Sequence, residues 1–95
     1  MKKTYKLTCI RRDKQWEGAT FIYVITPIQR GLNAIQTHLH DNNFEGFVEF
    51  LVTKVECEEA IFTLRGRQKH IQEAIHTLLC DTNLPDYFTI EERRL

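Results

Sequence analysis

Apolar residues fall on two different beats along this chain. At Ile28, Leu32, Ile35 and Leu39 they recur at i, i+4, i+7 and i+11, which predicts an amphipathic helix with one buried stripe. Ile71, Ala74, Ile75, Leu78 and Leu79 draw a second such stripe in RQKHIQEAIHTLL. The segments ATFIYVI, GFVEFLV, AIFTLR and YFTI are instead β-branched and aromatic, which is strand chemistry. Local signals punctuate these elements. Thr26 is placed to cap the first helix, with Pro27 at its first position and Gln29 completing a capping box. HDNN ends that helix, ECEE suits a short acidic hairpin connection, and Asn83, Pro85 and Asp86 mark a turn before YFTI.

The pattern repeats at an offset of forty residues. NAIQTHLHDNN then lies on EAIHTLLCDTN, matching Ala34 with Ala74, Ile35 with Ile75, Thr37 with Thr77, Leu39 with Leu79, Asp41 with Asp81 and Asn43 with Asn83. The flanks agree in apolar character: Ile22 and Val24 fall on Phe62 and Leu64, and Phe47, Val48 and Phe50 on Tyr87, Phe88 and Ile90. This predicts two strand–helix–strand units, residues 19–53 and 59–92, in a single domain spanning residues 1–95. Two such units are what a ferredoxin-like α+β sandwich requires: an antiparallel sheet with both helices on one face. Residues 3–12, KTYKLTCIRR, add an extra N-terminal strand, which the repeat leaves without an assigned place at the sheet edge or in a second subunit.

Alternation sorts the two faces of the sheet. Ile22, Val24, Val48, Phe50, Val52, Phe62, Leu64, Phe88 and Ile90 are expected to face the helices. The open face receives Phe21, Tyr23, Ile25, Phe47, Leu51, Val55, Ile61 and Tyr87, with Glu49, Thr63 and Thr89 between them. So apolar a face calls for a cover. A second copy is the simplest one, because a twofold axis lets one patch satisfy itself. Phe21, Tyr23, Phe47, Leu51, Ile61 and Tyr87 are therefore the candidate dimer or partner face.

Charge and composition narrow the function classes. Thirteen Lys and Arg balance thirteen Asp and Glu, which disfavours a general polyanion binder. No apolar run approaches membrane-spanning length, so no membrane partner is expected. Cys9, Cys57 and Cys80 are odd in number and far apart, which suits free thiols in a reducing cytoplasm.

The densest positive charge is LRGRQKH, with Arg65, Arg67, Lys69 and His70 around Gly66 at a strand-to-helix turn. A helix N-terminus there would favour a small anionic ligand, whereas cross-strand pairing of Arg65 with Glu49 would make the stretch an ordinary solvated turn. IYV at 22–24 and GFVEF at 46–50 resemble fragments of the two signature strands of an RNA-recognition motif, which would imply bases stacked on the open face. In that motif the second signature lies on the third strand. Here GFVEF follows the first helix directly, while AIFTLR puts Ile61 and Thr63 in the stacking positions.

His38 and His40 diverge on a helix, as do His70 and His76, so no metal or other cofactor is expected. Cys57 lies among Glu56, Glu58 and Glu59, Cys80 near a helix C-terminus, and no base is placed beside Cys9, so no catalytic residue is assigned. The expectation is a non-enzymatic cytoplasmic binding module, regulatory or adaptor in role and dimerising through the open face. Single-stranded nucleic-acid binding through that face with Arg65 and Arg67 is the first alternative. A small enzyme of the dimeric-barrel kind is the second.

Overall fold

Both helices that the apolar spacing predicts are formed. The computed structural model describes residues 1–10 and 27–93. Its elements are β1 (Lys2–Cys9), α1 (Pro27–Asp41), β2 (Val48–Val55), β3 (Glu59–Gly66), α2 (Gln68–Cys80) and β4 (Phe88–Arg93), with a 3-10 turn at Leu84–Asp86 leading into the last strand. The fold is α+β. Four strands form one sheet in the order β2-β3-β1-β4. Each neighbouring pair is antiparallel.

The N-terminal strand corrects the sequence reading. It is not an addition at the sheet edge but an interior strand, hydrogen-bonded to β3 on one side and β4 on the other. Its alternation explains the placement. Tyr5 and Leu7 are buried in the core, while Thr4 meets Thr63 on the opposite face through a 3.0 Å hydroxyl contact. The strand expected at ATFIYVI, together with Thr26, lies outside the described residues. The forty-residue offset survives for the helices and for β2 against β4. The first strands of the two halves stand further apart than that, since residues 10–26 separate β1 from α1.

The core is one continuous cluster. Ile28, Leu32, Ile35 and Leu39 of α1 and Ile71, Ala74 and Leu78 of α2 pack with Tyr5, Leu7, Val48, Ala60, Phe62, Leu64 and Phe88 of the sheet. Its aromatic centre is Phe62, whose ring lies 5.4 Å from both Tyr5 and Phe50. Phe50 and Ile90 are partly buried, as strand alternation requires, but Val52 is 42% exposed because β2 is an edge strand. Leu79, expected on the α2 stripe, is likewise exposed.

Three local features set the helix positions. A Cβ on Gly31 would come within 2.8 Å of the Phe88 ring, so glycine lets α1 lie close on the sheet. At the other end, Asn43 (φ 62) closes α1 in the left-handed region, with Phe44 N–H donating to Leu39 O and Asn43 N–H to His40 O. That closure carries Phe44 into the core beside the helix it ends. Between the helices, the Thr77 hydroxyl donates to Ala74 O, and therefore accepts from His38 Nε2 at 2.8 Å.

Two outcomes test this core. Leu78 is 1% exposed, so Leu78→Ala should lower unfolding free energy in urea by roughly 2–5 kcal/mol. A loss under about 1 kcal/mol would contradict the packing of α2. Burial, aided by the nearby Glu92 charge, pushes the Tyr5 phenol from 10.0 up to about 12. A raised pKa favours the neutral form in the fold. The stabilisation is therefore complete below pH 10.0 and is lost as pH rises through about 12. Phenolate absorbance should show a late-titrating component that Tyr5→Phe removes. A titration curve that Tyr5→Phe leaves without loss of its late component would contradict it.

Candidate functional site

The basic stretch splits across two surfaces. Leu64 and Phe62 point into the core, so Arg65 projects onto the open face of the sheet, in register with Glu49 on β2 and Lys2 on β1. No ion pair joins Arg65 to Glu49 among the described residues, although they stand opposite each other. Gly66 N–H donates to Met1 O at 2.9 Å, which ties the turn to the start of β1. A Cβ on Gly66 would collide with the Phe47 carbonyl oxygen, so this glycine is required by close backbone approach.

Arg67 then caps α2 in an extended conformation (φ −72, ψ 143), with no side-chain cap bond and no acidic residue in the first turn. The positive end of the helix is left to the Arg67 and His70 side of the turn. The His70 ring packs 4.8 Å from Phe47. Met1, Gly46, Phe47, Gly66, Arg67 and His70 line an open cleft of about 500 Å³ there. Of the predicted basic set, the structure gathers Arg67 and His70. Lys69 is exposed on the helix, and Arg65 faces away.

Of the predicted partner face, Leu51 and Ile61 share the open side of the β2–β3 pair, while Phe47 and Tyr87 lie just outside the strands. Phe21 and Tyr23 lie outside the described residues. Phe47 precedes β2 and turns to His70 of the helical layer. Leu51 stands opposite Thr63, and Ile61 opposite Lys54 and Lys6. Tyr87 lies just before β4, where its carbonyl accepts from Ile10 N–H at 2.9 Å. Charge interrupts the face, with Lys6 paired to Glu59 at 3.1 Å and Arg93 in register with Thr4. The described interior strands β1 and β3 present Thr4, Lys6, Ile61 and Thr63 there, with no aromatic among them to stack a base.

Among the described residues, exposed apolar side chains concentrate along the edge strand β2 and the residue before it. Phe47, Leu51, Val52 and Val55 are 57%, 41%, 42% and 52% exposed. The outer side of β2 has no strand partner among the described residues. A β-bulge interrupts its pairing with β3: Val52 opposes Phe62 and Lys54 opposes Ile61, leaving Thr53 as the extra residue. The Thr53 hydroxyl donates to Ile61 O at 3.2 Å. The bulge resets the alternation, so Lys54 shares the open face with Glu49 and Leu51, while Val55, opposite buried Ala60, turns to the core side. Lys54 forms a 2.8 Å ion pair with Glu56. That hydrogen-bonded pair holds the Lys54 pKa above and the Glu56 pKa below their ordinary values. The sequence signal for this edge was the break in alternation at VTKV, which strict period-two counting passes over.

The remaining chemistry is dispersed. His38 bridges the helices, His40 pairs with Glu45 at 3.0 Å, and Cys80 Sγ lies 3.8 Å from His76 Nδ1 on the exposed side of α2. Among the described residues no group of three His, Cys, Asp or Glu side chains is arranged to hold a metal. None of their helices is long and apolar enough to cross a membrane. No family model, curated protein or solved structure matches the chain.

The two glycines of the cleft give a paired test. Gly66→Ala should destabilise by roughly 1–3 kcal/mol in urea unfolding, because the Phe47 backbone has to move. At Gly46 a Cβ meets nothing within 4 Å, so Gly46→Ala should change stability by less than about 0.5 kcal/mol. Equal effects would refute the close approach.

Proposed function

We propose that this chain is a non-enzymatic protein-binding module, regulatory or adaptor in role, working in the cytoplasm on a ferredoxin-like frame. The observation that carries the reading is the apolar edge. Of the seven large apolar side chains exposed among the described residues, four belong to the nine-residue stretch 47–55. Concentrated exposure of this kind marks interaction surfaces, and an exposed strand edge offers backbone donors and acceptors to an added strand. The contact surface is therefore the β2 edge with the adjoining corner of the open face at Leu51 and Ile61.

The interleaved order β2-β3-β1-β4 supports the ferredoxin-like frame, since each half places a strand of the other between its own two. Cys9, Cys57 and Cys80 form no disulfide with one another, which suits a reducing compartment. Base stacking has less behind it, given Thr4, Lys6, Ile61 and Thr63 on the interior strands.

A photo-activated side chain at Leu51 or Val55 tests this in the host cell. Both positions should yield protein adducts, and the same group at exposed Gln72 on α2 should yield few. Adducts that are as abundant from Gln72, or absent from Leu51 and Val55, would remove β2 as the contact surface.

A further inference from the structure

We infer that β2 docks antiparallel on β2 of a second copy of this chain, with Leu51 on the twofold axis and the two sheets joined edge to edge. This rests on the reading of β2 as the contact surface and names its partner.

The bulge makes the strand complementary to itself. Residues five apart on a regular strand, such as Glu49 and Lys54, point to opposite faces. Here Thr53 is the extra residue, and Glu49, Leu51 and Lys54 share the open face, while Val48, Phe50, Val52 and Val55 share the core side. Counting Val52–Thr53 as one rung, Glu49 and Lys54 stand equally far from Leu51. An antiparallel copy centred on Leu51 then sets Glu49 opposite the second copy's Lys54, and Lys54 opposite its Glu49. On the core side Val48 meets Val55, and Phe50 meets the Val52–Thr53 rung. Every rung joins residues on the same face, as sheet pairing requires, and each pairs apolar with apolar or acid with base. A one-residue slip in either direction would break both the charge match and the facing.

The existing contacts permit this pairing. Glu49 has no ion pair among the described residues, and the exposed Lys54–Glu56 pair contributes little that a second acid would disturb. The other edge is built differently. β4 ends in Glu91, Glu92 and Arg93, the charged arrangement that blunts edge pairing. A contact of one strand edge lies at the low end of specific interfaces, roughly 1,000 Å², so association should depend visibly on concentration.

Sedimentation of the full chain over a concentration series is the test. The wild type should pass from monomer to dimer as concentration rises. Glu49→Lys and Lys54→Glu should each weaken dimerisation by at least about tenfold, since each sets like charges opposite one another twice. Mixing the two variants in equal amounts should restore association, because every charged rung again joins one acid to one base. Circular dichroism verifies that both exposed substitutions leave the fold intact. A wild type that stays monomeric at all concentrations overturns the inference. So does failure of the mixture to recover, which rejects this register. A monomer whose Leu51 adducts contain a different protein refutes the second copy while leaving the binding-module reading in place.

Discussion

The interior position of β1 is the constraint on which the rest of the structure depends. Its backbone is paired along both sides, to β3 from Lys2 to Thr8 and to β4 from Thr4 to Cys9. Without it β4 would be cut off from the β2–β3 pair. Tyr5 and Leu7 enter the core from this strand, and the Tyr5 ring stacks on Phe62 at the aromatic centre. Removing such a strand would strand two rows of backbone donors and acceptors as well as two large apolar groups. The same interleaving pushes β2 and β4 to the edges of the described sheet, so it also decides which strands keep one side without a strand partner among the described residues.

The helical layer is adjusted to that sheet by small devices. Gly31 allows close approach at Phe88 and Leu7, and Gly66 allows the same between the α2 turn and the Phe47 backbone. The left-handed Asn43 returns Phe44 to the core, and the His38–Thr77 hydrogen bond joins the helices where the stripes alone would allow them to slide. Each places a rigid element where apolar packing by itself is tolerant of shifts.

The two edges were resolved differently. β4 carries charge along its last three residues, whereas β2 leaves Leu51, Val52 and Val55 exposed and interrupts its alternation with a bulge. The exposed apolar residues of β2 are what the proposed contact surface rests on. The basic turn plays a different part. Arg65 and Arg67 diverge to opposite sides of Gly66, so the charge that stands out in the sequence is spread over two surfaces by the strand-to-helix turn.

The local elements were legible because they depend on near neighbours in the chain. The stripes Ile28–Leu39 and Ile71–Leu78, the turn residues of HDNN and the inward alternation of Val48, Phe62, Leu64 and Phe88 all report geometry set within a few residues. What the sequence could not determine was the partner of KKTYKLTC. Its alternation is the same whether one side or both sides of its backbone are paired, and the forty-residue repeat gave the first-strand role to ATFIYVI instead. The bulge at Thr53 left only a break in alternation at VTKV, which does not say which residue is the extra one or how Lys54 and Val55 then face. Pairing, register and the choice of edge are contacts between residues far apart in the chain, and only the assembled sheet decided them.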